Sequence, residues 1–298
     1  HLLIGMPRID AELHVDLDGL DPDRWYFYRF MVGNEVSPVG RARTTPALQT
    51  TPDRLNFAFA SCQMVSEGAC NAYRKMIFED RAKPADERLQ FVLHLGDFIY
   101  EVISYPEDGK DGMRRGRRLR DLFRFPVGEK IGDFHIPVTL DDYRTVYRAY
   151  LEDPDLQDAR ARWPFVCVWD NHEFSWTGYQ SQQVFGGKTI PAQTRRVAAN
   201  QAWWEYIPAH VTNPGAKSFN AFAAPDVTDA PVEQFDDHGL GLEPNNLAAV
   251  GSLRIYRSLR WGKFVELFLT DNHSYRGPSP DTPEFTPEGI RLASSQKV

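Results

Sequence analysis

Gly96-Asp97-Phe98-Ile99-Tyr100 follows a run of apolar residues, a spacing that can set a carboxylate and a phenol beside one cation. An aspartate at the end of a strand can bridge two metal ions, and a tyrosine three residues on can reach the same metal as a phenolate. Cys62 ends a second apolar run. Thiolate with phenolate favours a trivalent iron over Mg²⁺ or Ca²⁺, which prefer neutral or carboxylate oxygen. Asn171 and His172 end a third run; the first offers a carbonyl oxygen to a second, harder cation, the second a proton or hydrogen bond to a substrate oxygen. These are the parts of a two-metal hydrolytic site, which acidifies bound water and clamps a phosphoryl group during in-line attack. Asp271 and His273 end a fourth run.

Each of these residues has an ordinary reading when taken singly. An aspartate after glycine at a strand end is usually a turn or a helix cap, and a lone cysteine is usually a small buried hydrophobe. A lone histidine is usually a hydrogen-bonded structural residue, and His94, inside an apolar strand, is read that way. Four coincident strand ends, far apart in sequence, weigh more than any one of them. In layered α/β domains ligands gather outside the carboxyl ends of the strands, where the loops converge.

The elements needed to position these groups are legible as alternating strands and helices. Residues 55–60, 91–95, 165–169 and 264–269 read as strands. Residues 69–82, 140–161 and 192–206 read as helices, the second opened by Thr139 as N-cap with acids in its first turn. Tyr105 to Arg124 is Gly- and Arg-rich and reads as a long excursion, and Asn213 to Asn246 as a punctuated loop. The first fifty residues differ in texture. Leu13, Val15 and Leu17 alternate with polar residues, residues 25–32 are strongly strand-prone, and Gly33-Asn34 reads as a turn. Leu20-x-Pro22-x-x-x-Tyr26 has the turn-then-tyrosine spacing of an immunoglobulin or fibronectin-type sandwich, where the phenol ties a corner to the backbone. Thr44 to Pro52 is a Pro/Thr-rich linker.

Composition sets the outer bounds. A chain of 298 residues, 42% hydrophobic and 25% charged, has the make-up of a folded protein rather than a disordered one. No apolar stretch approaches the ~20 residues that cross a bilayer as a helix. The formal net charge of −7 argues against binding a nucleic-acid backbone. Cys62, Cys70 and Cys167 cannot build a disulfide framework. The chain starts at His1 and stops abruptly at Val298, so it reads as a piece of a longer protein whose targeting segment lies elsewhere.

Three segments, Phe57-Ala58-Phe59-Ala60-Ser61-Cys62-Gln63, His94-Leu95-Gly96-Asp97-Phe98-Ile99-Tyr100-Glu101 and Trp169-Asp170-Asn171-His172-Glu173, resemble the PhoD family of phosphoesterases, within the calcineurin-like metallophosphoesterase superfamily. Leu140 to Gln157 is similar to the helix preceding that family's third motif, and Arg260-Trp261-Gly262 and Asp271 to Arg276 to its later elements. The resemblance implies an α/β metallophosphoesterase fold: a sandwich of two sheets flanked by helices over residues 50–298, preceded at residues 1–49 by part of an immunoglobulin- or fibronectin-like β-sandwich. It implies hydrolysis of phosphomonoesters or phosphodiesters by a metal-bound hydroxide, with Fe³⁺ and Ca²⁺, in a protein exported from the cytoplasm. Cys62, Asp97 and Tyr100 would take the iron, with Asp97 bridging; Asn171 would take the second cation, and His172 would steady the phosphate or leaving group. His273 and Arg276 would contact substrate, although Asn272-His273 stands where the family usually has Thr-Arg. Further histidine ligands are expected beyond residue 298. The same fold acting as a phospholipase D-like or teichoic-acid phosphodiesterase is the nearest alternative, and a non-catalytic binding module is the alternative from another class. Arg114, Arg115, Arg117, Arg118 and Arg120 read ordinarily as a solvated loop, and otherwise as a flap that draws in an anionic substrate. Trp176, Trp203 and Trp204 read as core or cleft-wall aromatics.

Overall fold

The computed structural model describes residues 14–185, 188–218 and 220–278. Its centre is a parallel three-stranded sheet in which β6 (Phe91–His94) lies between β5 (Phe57–Ala60) and β11 (Phe165–Cys167). The register sets Ala60 and Cys167 both opposite His94, so all three strands end level. Parallel strands need crossover connections, and here helices supply them. α1 (Asn71–Ala82) joins β5 to β6; α2 (Leu140–Leu151) and α3 (Pro154–Arg162) lie between β6 and β11. After β11 come α4 (Gln193–Tyr206) and α5 (Pro244–Gly251).

β6 is buried over most of its length, with Val92 fully enclosed, as a central parallel strand should be. The helices cover it with a core rich in large aromatics: Tyr143, Tyr147 and Tyr150 from α2, Trp163 after α3, and Trp203 from α4. β5 is an edge strand, and Phe59 on it is 72% exposed.

The expected single helix over residues 140–161 is two helices. Pro154 has no N–H to continue α2, and the residue before a proline is driven out of helical geometry. Asp153 takes up the break as the N-cap of α3, accepting from the N–H groups of Asp155 and Leu156, both at 3.0 Å. Thr139 caps α2 as its sequence position implies, accepting from Asp142 N–H at 3.2 Å. The loop read from Asn213 to Asn246 ends early, because Pro244 opens α5. The fourth expected strand exists as β15 (Val265–Leu269), but it pairs antiparallel with β14 (Arg257–Trp261) rather than joining the parallel sheet.

Leu13 lies outside the described residues, and residues 14–18 form no strand. Residues 25–32 divide into β1 (Trp25–Tyr28), paired antiparallel with β4 (Gly40–Arg43), and β2 (Met31–Val32), paired with β3 (Glu35–Val36) across Gly33-Asn34. Gly33 has φ +58°, the left-handed geometry such a turn requires. Tyr26 does tie its corner: its hydroxyl accepts from the N–H of Asp21 at 2.7 Å. Among the described residues, strands outside the parallel sheet pair only in twos.

Asp142 anchors the long excursion to α2. Its buried carboxylate accepts backbone N–H bonds from Val127, Gly128, Val138 and Thr139 at 2.9–3.1 Å. Burial alone would raise its pKa, but these bonds outweigh burial and hold it below 3.8. Its contribution to stability is therefore complete above the unfolded value and is lost as pH falls through the lower folded one. Asp142→Asn should cost about 2 kcal/mol at pH 7 and weaken the acid dependence of unfolding, measured by denaturant titration from pH 3 to 7. An unchanged acid limb would show that the carboxylate is not the anchor.

Candidate active site

The loops leaving β5, β6 and β11 are fastened to one another by backbone and carboxylate bonds. Cys62 N–H donates to Gly96 O and Gln63 N–H to Asp97 O, each at 3.2 Å, locking the first two loops together. Glu173, on the third loop, accepts from the N–H groups of Asp97 at 3.0 Å, Phe98 at 2.5 Å and Asp170 at 2.7 Å. Burial pushes the Glu173 carboxyl up to about 8, against the lowering effect of those donors. Gly96 has φ +105°, and a Cβ there would sit 2.5 Å from the backbone N of Asp170, so only glycine permits this approach.

Cys62 and Asp97 both hold left-handed backbone geometry, φ +58° and +52°. Neither is a glycine, and such strain collects where a side chain must be aimed. Here both aim at one point. Cys62 Sγ lies 3.4 Å and Tyr100 Oη 3.3 Å from the same oxygen of Asp97, Oδ2. Asp97 Oδ1 accepts from His172 N–H at 3.2 Å. Burial first, then the neighbouring Asp97 and Cys62, raises the Tyr100 pKa, so without a cation the phenol keeps its proton. Cys62 is exposed, whereas burial pushes the Cys70 and Cys167 thiols up to about 12. Among the three cysteines, Cys62 is the one placed to act as a ligand.

His172 is buried and directed by an acid. Its Nδ1 lies 2.6 Å from Glu101 Oε2, and the other Glu101 oxygen accepts from Trp176 N–H. Burial lowers the imidazole pKa, but Glu101, with Asp97 and Glu173, more than offsets this and the net shift is upward. With Nδ1–H donating to Glu101, the protonated ring has Nε2–H free for another acceptor. Asn171 is half-buried beside it. Glu101 and Glu173 were not singled out by type and spacing, although both lie inside the motifs; a carboxylate behind a functional histidine is the signal that points to Glu101.

His273 and Arg276 are placed differently from Cys62, Asp97, Tyr100 and His172. His273 is buried, with Nε2 bonded to Asp170 Oδ1, and Arg276 donates to Gly178 O at 3.2 Å. Asp271 holds this turn: its Oδ1 accepts from Trp169 Nε1 at 2.9 Å and from the N–H groups of His273 and Ser274. His94 is fully buried among Phe98 and Phe165, and burial brings its pKa down to about 4, so its ring is neutral.

Cys62 Sγ, the Tyr100 phenol and the Asp97 carboxylate oxygen on which they converge make a donor set that suits a trivalent cation. Among the described residues no group of three or more His, Cys, Asp or Glu side chains is gathered for a metal, so a cation bound here would need the Tyr100 phenol as well as Cys62 and Asp97.

Residues 57–296 match the PhoD-like phosphatase family, and residues 4–46 match that family's N-terminal domain. The chain belongs to the PhoD-like phosphatase family. Alkaline phosphatase D of Bacillus subtilis (strain 168) is 35% identical to it over 211 residues, covering 70% of this chain and 32% of the relative. The solved structure of PhoD is similar with a TM-score of 0.62 at 27% identity, over 91% of this chain and 41% of that one. The chain thus spans about a third of the length of the curated relative it matches.

Removing the Glu173 carboxyl group leaves three N–H donors of the converging loops without their acceptor. Glu173→Ala should destabilise the protein by about 3 kcal/mol or more, read from the midpoint of chemical denaturation. A loss below about 0.5 kcal/mol, typical of a surface change, would mean these bonds do not hold the loops.

Proposed function

We propose that this protein is a metal-dependent phosphoesterase acting on organic phosphate esters outside the cytoplasm. The observation that carries the reading is the convergence of Cys62 and Tyr100 on one oxygen of Asp97, beside a histidine oriented by Glu101. Membership of the PhoD-like phosphatase family supports it. Cys62, Tyr100 and Asp97 would hold Fe³⁺, and Asp97 with Asn171 would take part in holding a second cation, for which Ca²⁺ is proposed. When bound, these ions supply Lewis acidity toward the phosphoryl group and acidify water.

The chain's own residues contribute orientation and a proton. Glu101 fixes the His172 ring by its Nδ1, so that Nε2–H donates to a phosphoryl or leaving-group oxygen. Glu173 sets the loop positions from which Asp97 and His172 project. A phospholipid or wall-polymer diester is the second substrate class, favoured by the cavity beside His172, which leaves room for more than phosphate.

Three measurements bear on this. Protein prepared aerobically with iron should contain it stoichiometrically and show a phenolate charge-transfer colour that Tyr100→Phe abolishes. Asp97→Asn should lose metal and activity together. His172→Ala should keep its iron while turnover falls about 100-fold or more, compared on a simple monoester, a diester and a phospholipid. A colourless, fully active enzyme containing only zinc would defeat the iron assignment; loss of metal in the His172 variant would defeat the role given to that side chain.

A further inference from the structure

A cavity of about 150 Å³ opens beside Tyr100 and His172, and neither Cys62, Asp97 nor Asn171 lines it. Its walls are chiefly apolar: Val102, Leu119, Phe134 and Trp176. Phe134 and Trp176 meet edge to face with ring centroids 5.4 Å apart. Binding a bare phosphoryl group requires no apolar slot. An apolar cavity of about this volume accepts one benzene-sized ring.

The polar part of the lining comes from Ser66, Glu67 and Ser104 and from the arginine run. Arg117 is spent on Glu67 at 3.3 Å, and Arg120 donates to Val65 O at 2.8 Å. These contacts pin the excursion against the segment after β5, so it is not simply a solvated loop. Arg114 and Arg115 line the cavity instead, and neither makes an ion pair with the described residues. Arg114 is held in place with its guanidinium 3.6 Å from the Phe134 ring centroid and a hydrogen bond to Ser104. Arg115 is exposed and has left-handed backbone geometry, φ +48°. The cavity therefore joins a ring-sized apolar slot to two cations that make no ion pair among the described residues, while Glu67 on the same wall is paired with Arg117.

We propose that this cavity is the leaving-group subsite, taking a six-membered ring carried by the esterified alcohol, with Arg114 and Arg115 selecting rings that bear an anionic group. The leaving-group role rests on the phosphoesterase reading; the binding preference can be measured without it. Calorimetric titration of the intact, metal-loaded protein with phenylphosphonate should give an affinity at least tenfold above that for methylphosphonate. Trp176→Ala should remove most of that difference. Arg115→Gln, a surface change, should leave it in place and lower the preference for 4-carboxyphenylphosphonate over phenylphosphonate about fivefold. In turnover, the ratio of kcat/KM for phenyl phosphate over that for glycerol 2-phosphate should fall about tenfold in Trp176→Ala. Equal affinities for the phenyl and methyl phosphonates overturn the subsite, whether or not esters are hydrolysed. A clear phenyl preference with no turnover of any ester supports the ring site and overturns the hydrolytic reading.

Discussion

A single buried glutamate sets the geometry on which the rest of the site depends. Glu173 receives N–H bonds from Asp97, Phe98 and Asp170, so the loop after β6 and the loop after β11 share one acceptor. Buried N–H groups are costly to leave unpaired, and three at once make this junction hard to open. The approach is so close that residue 96 can carry no side chain. The loop after β5 is then drawn in by the bonds from Cys62 and Gln63 to the backbone of Gly96 and Asp97. Level strand ends bring the loops near; Glu173 and Gly96 turn nearness into a fixed arrangement.

That arrangement explains why Cys62 and Asp97 hold backbone conformations suited to glycine. A left-handed residue with a Cβ costs roughly 1–2 kcal/mol, and glycine would relieve it. Glycine is used at residue 96, where only backbone geometry matters, and not at 62 or 97, where Sγ and Oδ2 must meet. Strain is accepted where a side chain is needed and avoided where it is not. The same economy shows in the two histidines: His94, far closer to Asp97 in sequence, lies in the apolar core with its pKa down to about 4, while His172 is paired with Glu101 and shifted the other way.

The parts legible in the sequence were those fixed locally. The three central strands come from short apolar runs, the start of α2 from Thr139, and the tied corner from the spacing of Tyr26. Cys62, Asp97, Tyr100 and His172 were legible because a strand end converts sequence position into spatial position. Two kinds of feature were not. Glu101 and Glu173 lie inside the motifs, but what they do depends on partners 71 to 76 residues away, which the motifs do not name. The pairing of β15 with β14 rather than with the parallel sheet is likewise a tertiary choice that an apolar run does not encode. The break at Pro154 was available in the Asp-Pro pair, but the helical periodicity on either side masked it.

The charge of the whole chain and the charge of the cleft point in opposite directions, and distance decides which matters. A net charge of −7 spread over the surface is screened beyond a Debye length of about 8 Å at physiological salt. Arg114 and Arg115 line the same cavity as His172, so a ligand there meets them at shorter range than it meets most of the acids. Other acids near the run are already engaged: Glu67 with Arg117, Glu107 and Asp121 with Arg124, Asp108 with Lys130 and His135. Local pairing thus engages Glu67, Glu107, Asp108 and Asp121, while Arg114 and Arg115 at the cavity make no ion pair among the described residues. An acidic protein can in this way present a basic wall to an anionic substrate, and the overall charge gives no guide to what its cleft will take.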